Sequence, residues 1–169
     1  MIRLVGAALI LLGAFWIGGR KTSRFYIQLE QLRQLLHAME LLQCELNYTM
    51  YSVPRILHMV SEKFPGAIGE YFEQLSLNIQ QGLGREAGAR MALEKTKRLC
   101  LPNDAVFALL DYSSSLGSFD LDGEDRISKL CCKRISQCLQ IMEQEKRPFV
   151  KNYIVLALCA GTALVILLI

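Results

Sequence analysis

Two histidines, His37 and His58, are the first candidates for proton transfer, and the run Ser113 to Ser115 for nucleophilic attack. Acid–base or acyl-transfer chemistry needs a base held within hydrogen-bond reach of a nucleophile. Neither histidine stands at motif spacing from one, and no elbow motif surrounds the serines, which read as the relaxed end of a helix. Gly82-Leu-Gly84-Arg85 lacks the third glycine and the Lys-Ser that a phosphate cradle requires. Asp120-x-Asp122-Gly123-Glu124-Asp125 has the residue types of a calcium loop, but its glycine falls at the fourth position, where such a loop needs it at the sixth. The segment reads as a turn that offers a side-chain cap to the next helix.

Cys44, Cys100, Cys131, Cys132, Cys138 and Cys159 show no C-x-x-C spacing, and Cys159 lies in an apolar run. They fit a reducing compartment in which cysteine serves as a small hydrophobe, and zinc would need more than an adjacent cysteine pair and two scattered histidines. No cofactor, metal or small-molecule substrate is expected, and no enzyme. Glu45 is the polar position of most interest, because it sits between Leu42 and Leu46 with Tyr48 three residues on. Either it faces water, or it is a buried latch that fixes helix register, with the turn around Asp120 as a counterpart.

The elements that position these residues follow from where charge is absent. All 16 acidic residues lie between Glu30 and Glu145, and 17 of the 19 Lys and Arg lie between Arg20 and Arg147. The middle is therefore nearly neutral and its charges are interspersed, which opposes a nucleic-acid partner. Leu4 to Gly19 is sixteen residues without a charge, and Tyr153 to Ile169 is seventeen. At a rise of about 1.5 Å per residue each helix covers roughly 25 Å, close to the hydrocarbon thickness of a bilayer. A cleaved signal peptide fits less well, because Phe15-Trp16-Ile17 stands where a small-residue cleavage motif belongs and Arg20, Lys21 and Arg24 follow at once. Basic residues flank the inner side of both runs, with Arg3 alone outside, so the expected topology is a hairpin with a cytoplasmic middle and both termini across the membrane. The domains are a transmembrane helix over 1–19, a helical domain over 20–148 and a second transmembrane helix over 149–169.

The middle has helical periodicity and no strand-length alternation. Phe25, Leu29, Leu32, Leu36, Met39, Leu42 and Leu46 mark the apolar face of a long first helix running to Tyr51. Pro54 starts a short helix to about Lys63, and Pro65-Gly66 breaks it. A third helix covers 67–81 and a fourth 85–99, the latter with Ala87, Met91 and Ala92 as a thin apolar edge. A fifth opens at Pro102 and carries Val106, Leu109, Leu110 and Leu116 inward until Gly117, and a last one to about Arg147 buries Ile127, Cys131, Ile135, Cys138 and Met142. The fold class is all-α, a bundle of about six helices flanked by the two spans.

Glu45-Leu46-Asn47-Tyr48 at the end of the first long helix, Pro54 in the stretch after it, and Leu116-Gly117-Ser118-Phe119-Asp120 before the last helix together resemble the stage III sporulation protein AB family. Ser52 stands where many members have a first proline, Glu124 replaces a usual Gln, and Arg90 or Met91 replaces a frequent Trp. The family is similar in turn to the inner-membrane platform protein F of type II secretion and type IV pilus machines. The resemblance covers the whole chain and makes Glu45, Tyr48, Pro54, Gly117 and Asp120 the candidate structural or partner-docking residues. It implies a non-catalytic platform in the channel, or feeding tube, between mother cell and forespore. The protein would sit in the mother-cell membrane around the forespore, dock the operon's ATPase, stage III sporulation protein AA, contact other channel proteins and sustain late forespore gene expression. The alternatives are a vegetative secretion or pilus platform, which usually carries two copies of the helical domain, and a membrane-tethered signalling module.

Overall fold

The computed structural model describes residues 2–48, 51–117, 123 and 125–145, with side chains from residue 23 onward. Six helices lie among them: α1 (Ile2–Tyr48), α2 (Val53–Lys63), α3 (Ala67–Gln80), α4 (Arg85–Lys95), α5 (Asn103–Ser115) and α6 (residues 125–145). No strand occurs among the described residues. The chain divides into two compact units, Gln28–Gln140 and Met1–Ile27 with Ile141–Ile169. Among the described residues no helix is long and apolar enough to cross a membrane. The two expected spans fall on residues 1–22, whose side chains are not described, and on residues 146–169, which lie outside the described residues.

In the unit Gln28–Gln140 the core begins on α1, which buries Leu29, Leu32, Leu35, Ala38, Met39 and Leu42. The expected stripe is corrected at two places, since Leu36 and Leu46 are only half-buried and Leu35 takes the inward position. A helix of 3.6 residues per turn can turn either leucine of the Leu35-Leu36 pair inward, and packing decides which. Pro54 falls in the first turn of α2, where its missing N–H costs nothing. Ser52 supplies no side-chain cap; its carbonyl accepts the N–H of Arg55 at 2.9 Å and of Ile56 at 3.2 Å.

Helices α2 and α3 form a close hairpin through Pro65-Gly66. A Cβ on Gly69 would collide with the carbonyls of Phe64 and Ser61, so only glycine lets the first turn of α3 come this near the end of α2. Ile68, Tyr71, Phe72 and Leu75 then fill the centre, and the Tyr71 hydroxyl shares a hydrogen bond of 2.9 Å with Ser113 of α5. Burial pushes the Tyr71 phenol well above its ordinary value.

Helix α4 differs most from expectation. Ala87 and Met91 are exposed, and the buried edge is Gly88, Ala89 and Ala92. These small residues allow close approach to α3, where Asn78 donates from Nδ2 to the Gly88 carbonyl at 2.9 Å. The helix ends at Lys95 instead of Leu99: Thr96 leaves the helical backbone conformation, with its hydroxyl on the Ala92 carbonyl at 2.9 Å. Gln31 of α1 secures the loop that follows, donating to the Arg98 carbonyl at 3.0 Å and accepting the Cys100 N–H at 2.7 Å.

Helix α5 buries Ala105, Ala108, Leu109, Tyr112 and Ser113, with Leu116 behind them; Val106 and Leu110 are only half-buried. Alanines face the core here because α6 lies against the same helix. Cys131 donates from Sγ to the Ala108 carbonyl at 3.3 Å, and Asp104 acts electrostatically on Cys138, so α6 runs antiparallel to α5. Cys131 and Ile135 of the expected α6 stripe are buried; Ile127, Cys138 and Met142 are half-buried.

Candidate functional site

Three of the five candidate residues bear on one element, α2. Pro54 begins it, and its carbonyl accepts the Ser76 hydroxyl of α3 at 2.7 Å. Gly117 backs the same end: its φ is +68°, and a Cβ there would stand 3.1 Å from Arg85 Nη2 and 3.4 Å from Val53 Cγ2. The Gly117 carbonyl accepts Arg85 Nη2 at 2.9 Å, so the starts of α2 and α4 and the end of α5 meet at one junction. Glu45 holds the opposite end of α2, with Oε1 3.9 Å from Nζ of Lys63. Its side chain is 20% exposed, between the two states weighed from the sequence. Tyr48 stands 85% exposed at the end of α1. Asp120, the proposed counterpart of Glu45, lies outside the described residues.

A polar latch does join α1 to α6, through residues that sequence reasoning passed over. Gln43 donates from Nε2 to Oδ1 of Asp125 at 2.7 Å, and Lys129 donates to the other carboxylate oxygen. The Lys129 hydrogen bond, with those of Gln43 and Asn47, holds the Asp125 carboxyl below its ordinary range. The available signal is the position of Asp125 at a helix start, which by itself reads as a cap.

The second missed cluster joins α2 to α3. His58 Nδ1 lies 2.6 Å from Oε2 of Glu73, the Ser61 hydroxyl donates to the same oxygen at 2.8 Å, and Glu62 stands 3.8 Å from His58 Nε2. The hydrogen bond to Glu73 raises the pKa of His58, and the same bond lowers that of Glu73. Glu62 sits at i+4 from His58, which corrects the reading of both histidines as lacking a carboxylate at that spacing; Glu73 is brought in only by the hairpin. Ser61 points at Glu73 and at the His58 carbonyl, 2.7 Å away, not at the imidazole ring. This is the geometry of a surface clasp, since a base that activates a nucleophile must itself accept the nucleophile's proton.

The cysteine thiols are also placed for packing. Burial pushes the Cys131 thiol up to about 12, and burial likewise raises Cys132 and Cys138. Cys44 is exposed and Cys100 half-buried, all five being free thiols, while Cys159 lies outside the described residues. Among the described residues no group of three His, Cys, Asp or Glu side chains could hold a metal ion. Side chains in these clusters fix helices against one another.

Such a helical bundle is of the kind seen in a solved structure of stage III sporulation protein AB (SpoIIIAB). That structure is 18% identical with a TM-score of 0.66, and the match covers 72% of this chain and 98% of the other. The fold class is thus an all-α bundle of the SpoIIIAB type. The sequence pattern of the stage III sporulation protein AB family matches residues 3–169, and the chain belongs to that family. It is accordingly a sporulation-associated protein. No curated protein matches the sequence.

Proposed function

We propose that this protein is a non-catalytic, membrane-anchored platform of the channel between mother cell and forespore. Its helical domain docks the operon's secretion-type ATPase, stage III sporulation protein AA, and neighbouring channel proteins on the mother-cell side, and late forespore gene expression depends on it. The observation that carries this reading is the family match over 3–169. Supporting it are clusters that hold α2 at both ends and join α1 to α6, an arrangement suited to a rigid docking body. The charge-free runs 4–19 and 153–169 anchor the chain as two transmembrane helices, with the basic flanks placing the domain in the mother-cell cytoplasm.

Two measurements test the reading. Cells lacking the protein should engulf the forespore, fail to assemble the channel and complete few spores; normal spores from such cells would sink it. In-cell crosslinking on membranes of sporulating cells, with this protein as bait, should recover the ATPase through residues of the helical domain. Recovery of regulators alone, with the ATPase present and uncrosslinked, would favour a signalling module instead.

A further inference from the structure

The charges of the middle are balanced overall, yet one stretch of α6, between Asp125 and the Glu143–Glu145 end, departs from that balance. From Arg126 to Gln140, α6 carries Arg126, Lys129, Lys133 and Arg134 and no Asp or Glu. All four cations are exposed. Spacings of three and four residues set Arg126, Lys129 and Lys133 along one face around Leu130, itself 55% exposed. Lys129 pairs with Asp125, and Arg134 with Asp111 of α5 at 3.4 Å. Arg126 and Lys133 have no carboxylate within ion-pair distance among the described residues.

The surface around Leu130 is concave on both sides. One open depression, about 600 Å³, is lined by Asp125, Arg126, Lys129 and Lys133, and a second, about 310 Å³, lies between α5 and α6 over Ala108, Ile127 and Cys131. An apolar anchor ringed by cations is the anatomy of a protein interface, with the charges setting the partner's sign and the anchor holding it. Helices that lie on lipid need a broad apolar face with bulky aromatics. This face continues instead into Ser136, Gln137 and Gln140 before the exposed Ile141, and it carries no aromatic.

We propose that the outward face of α6, built from Arg126, Lys129, Leu130, Lys133 and Arg134, docks an acidic protein surface. Arg126 and Lys133 meet its carboxylates, and Leu130 seats in an apolar spot among them. The proposal rests on the platform reading for the partner's membership in the channel assembly.

The test places a photoreactive amino acid at Leu130, and separately at Lys133, of the full-length protein in sporulating cells, and sequences the crosslinked peptides. The expected result is one partner whose contact peptide is rich in Asp and Glu. Crosslink yield from Leu130 should fall about tenfold or more in R126E/K133E, fall less in R126Q/K133Q, and recover when the partner's acidic residues are changed to Lys. Unchanged helical circular dichroism of both variants keeps misfolding from imitating that loss. Crosslinks to lipid or nucleic acid, no crosslink, or a yield indifferent to charge reversal would each overturn the proposal. Defective sporulation of the deletion strain without such a crosslink removes the docking face alone. An acidic partner found in a protein dispensable for spores removes the platform reading alone.

Discussion

The Gly69 backbone passes so close to Phe64 and Ser61 that any side chain must push α3 away from α2. Gly69→Ala should therefore destabilise the domain by about 2 kcal/mol or more, read from the denaturation midpoint. Glu45 gives the opposite case. Its ion pair with Lys63, which is half exposed and 3.9 Å away, should be worth no more than about 1 kcal/mol in a double-mutant cycle of Glu45 and Lys63. The His58–Glu73 pair makes a pH prediction with a defined sign. His58 has its pKa raised above 6.5 on folding, chiefly by the hydrogen bond to Glu73, so its contribution is complete below 6.5 and lost as pH climbs through the raised value. Glu73 has its pKa lowered below 4.5, chiefly by the same bond, so its contribution is complete above 4.5 and lost as pH falls through the lowered value. Clasping of α2 to α3 should be fullest between these limits, and His58→Ala should remove the decline in stability as pH rises above 6.5. NMR titration of the His58 ring checks the direction directly.

Single polar side chains set the positions of whole elements. Gln31 uses both ends of its amide to pin the loop after α4 onto α1, satisfying one part-buried donor and one exposed carbonyl at once. Gln31→Ala leaves both without that partner, with an expected loss of about 1 kcal/mol and faster hydrogen exchange at Cys100. The α1–α6 link through Gln43 and Asp125 should be similarly local: Asp125→Ala frees the first turn of α6 and leaves α2–α4 protected, as amide exchange along the helices would record. These links explain which expectations were readable beforehand. Periodicity reports that a face is apolar, so α2, α3 and α5 were placed within a residue or two. It cannot report which of two adjacent leucines turns inward, as at Leu35 and Leu36, nor that α4 buries Gly88 and Ala89 in place of Ala87 and Met91. Close approach to α3 favours small residues at α4's contact edge, and a hydropathy pattern does not encode that preference.

At the scale of the molecule, the topology expected from the basic flanks has a direct chemical readout. Cys44 is exposed on α1, whereas the Cys131 thiol is buried with its pKa pushed to about 12. A membrane-impermeant maleimide should label a variant retaining Cys44 alone only after the mother-cell membrane is opened. Labelling only after the membrane around the forespore is opened as well would reverse the orientation. In permeabilised cells Cys131 should react far more slowly than Cys44, since burial withholds both access and the thiolate.

The candidate residues divide along the same line. Glu45, Tyr48, Pro54, Gly117 and Asp120 come from short local patterns that repeat a family resemblance, and the helical class comes from spacing that any apolar face must obey. Both are properties of neighbouring positions in the chain, so a linear reading reaches them. That Glu45 meets Lys63, that Gly117 joins Val53 to Arg85, and that His58 finds Glu73 are contacts across helices. They depend on crossing geometry that no local pattern carries. Tertiary packing alone gathered these scattered polar groups into clasps around α2 and turned the cations of α6 outward together.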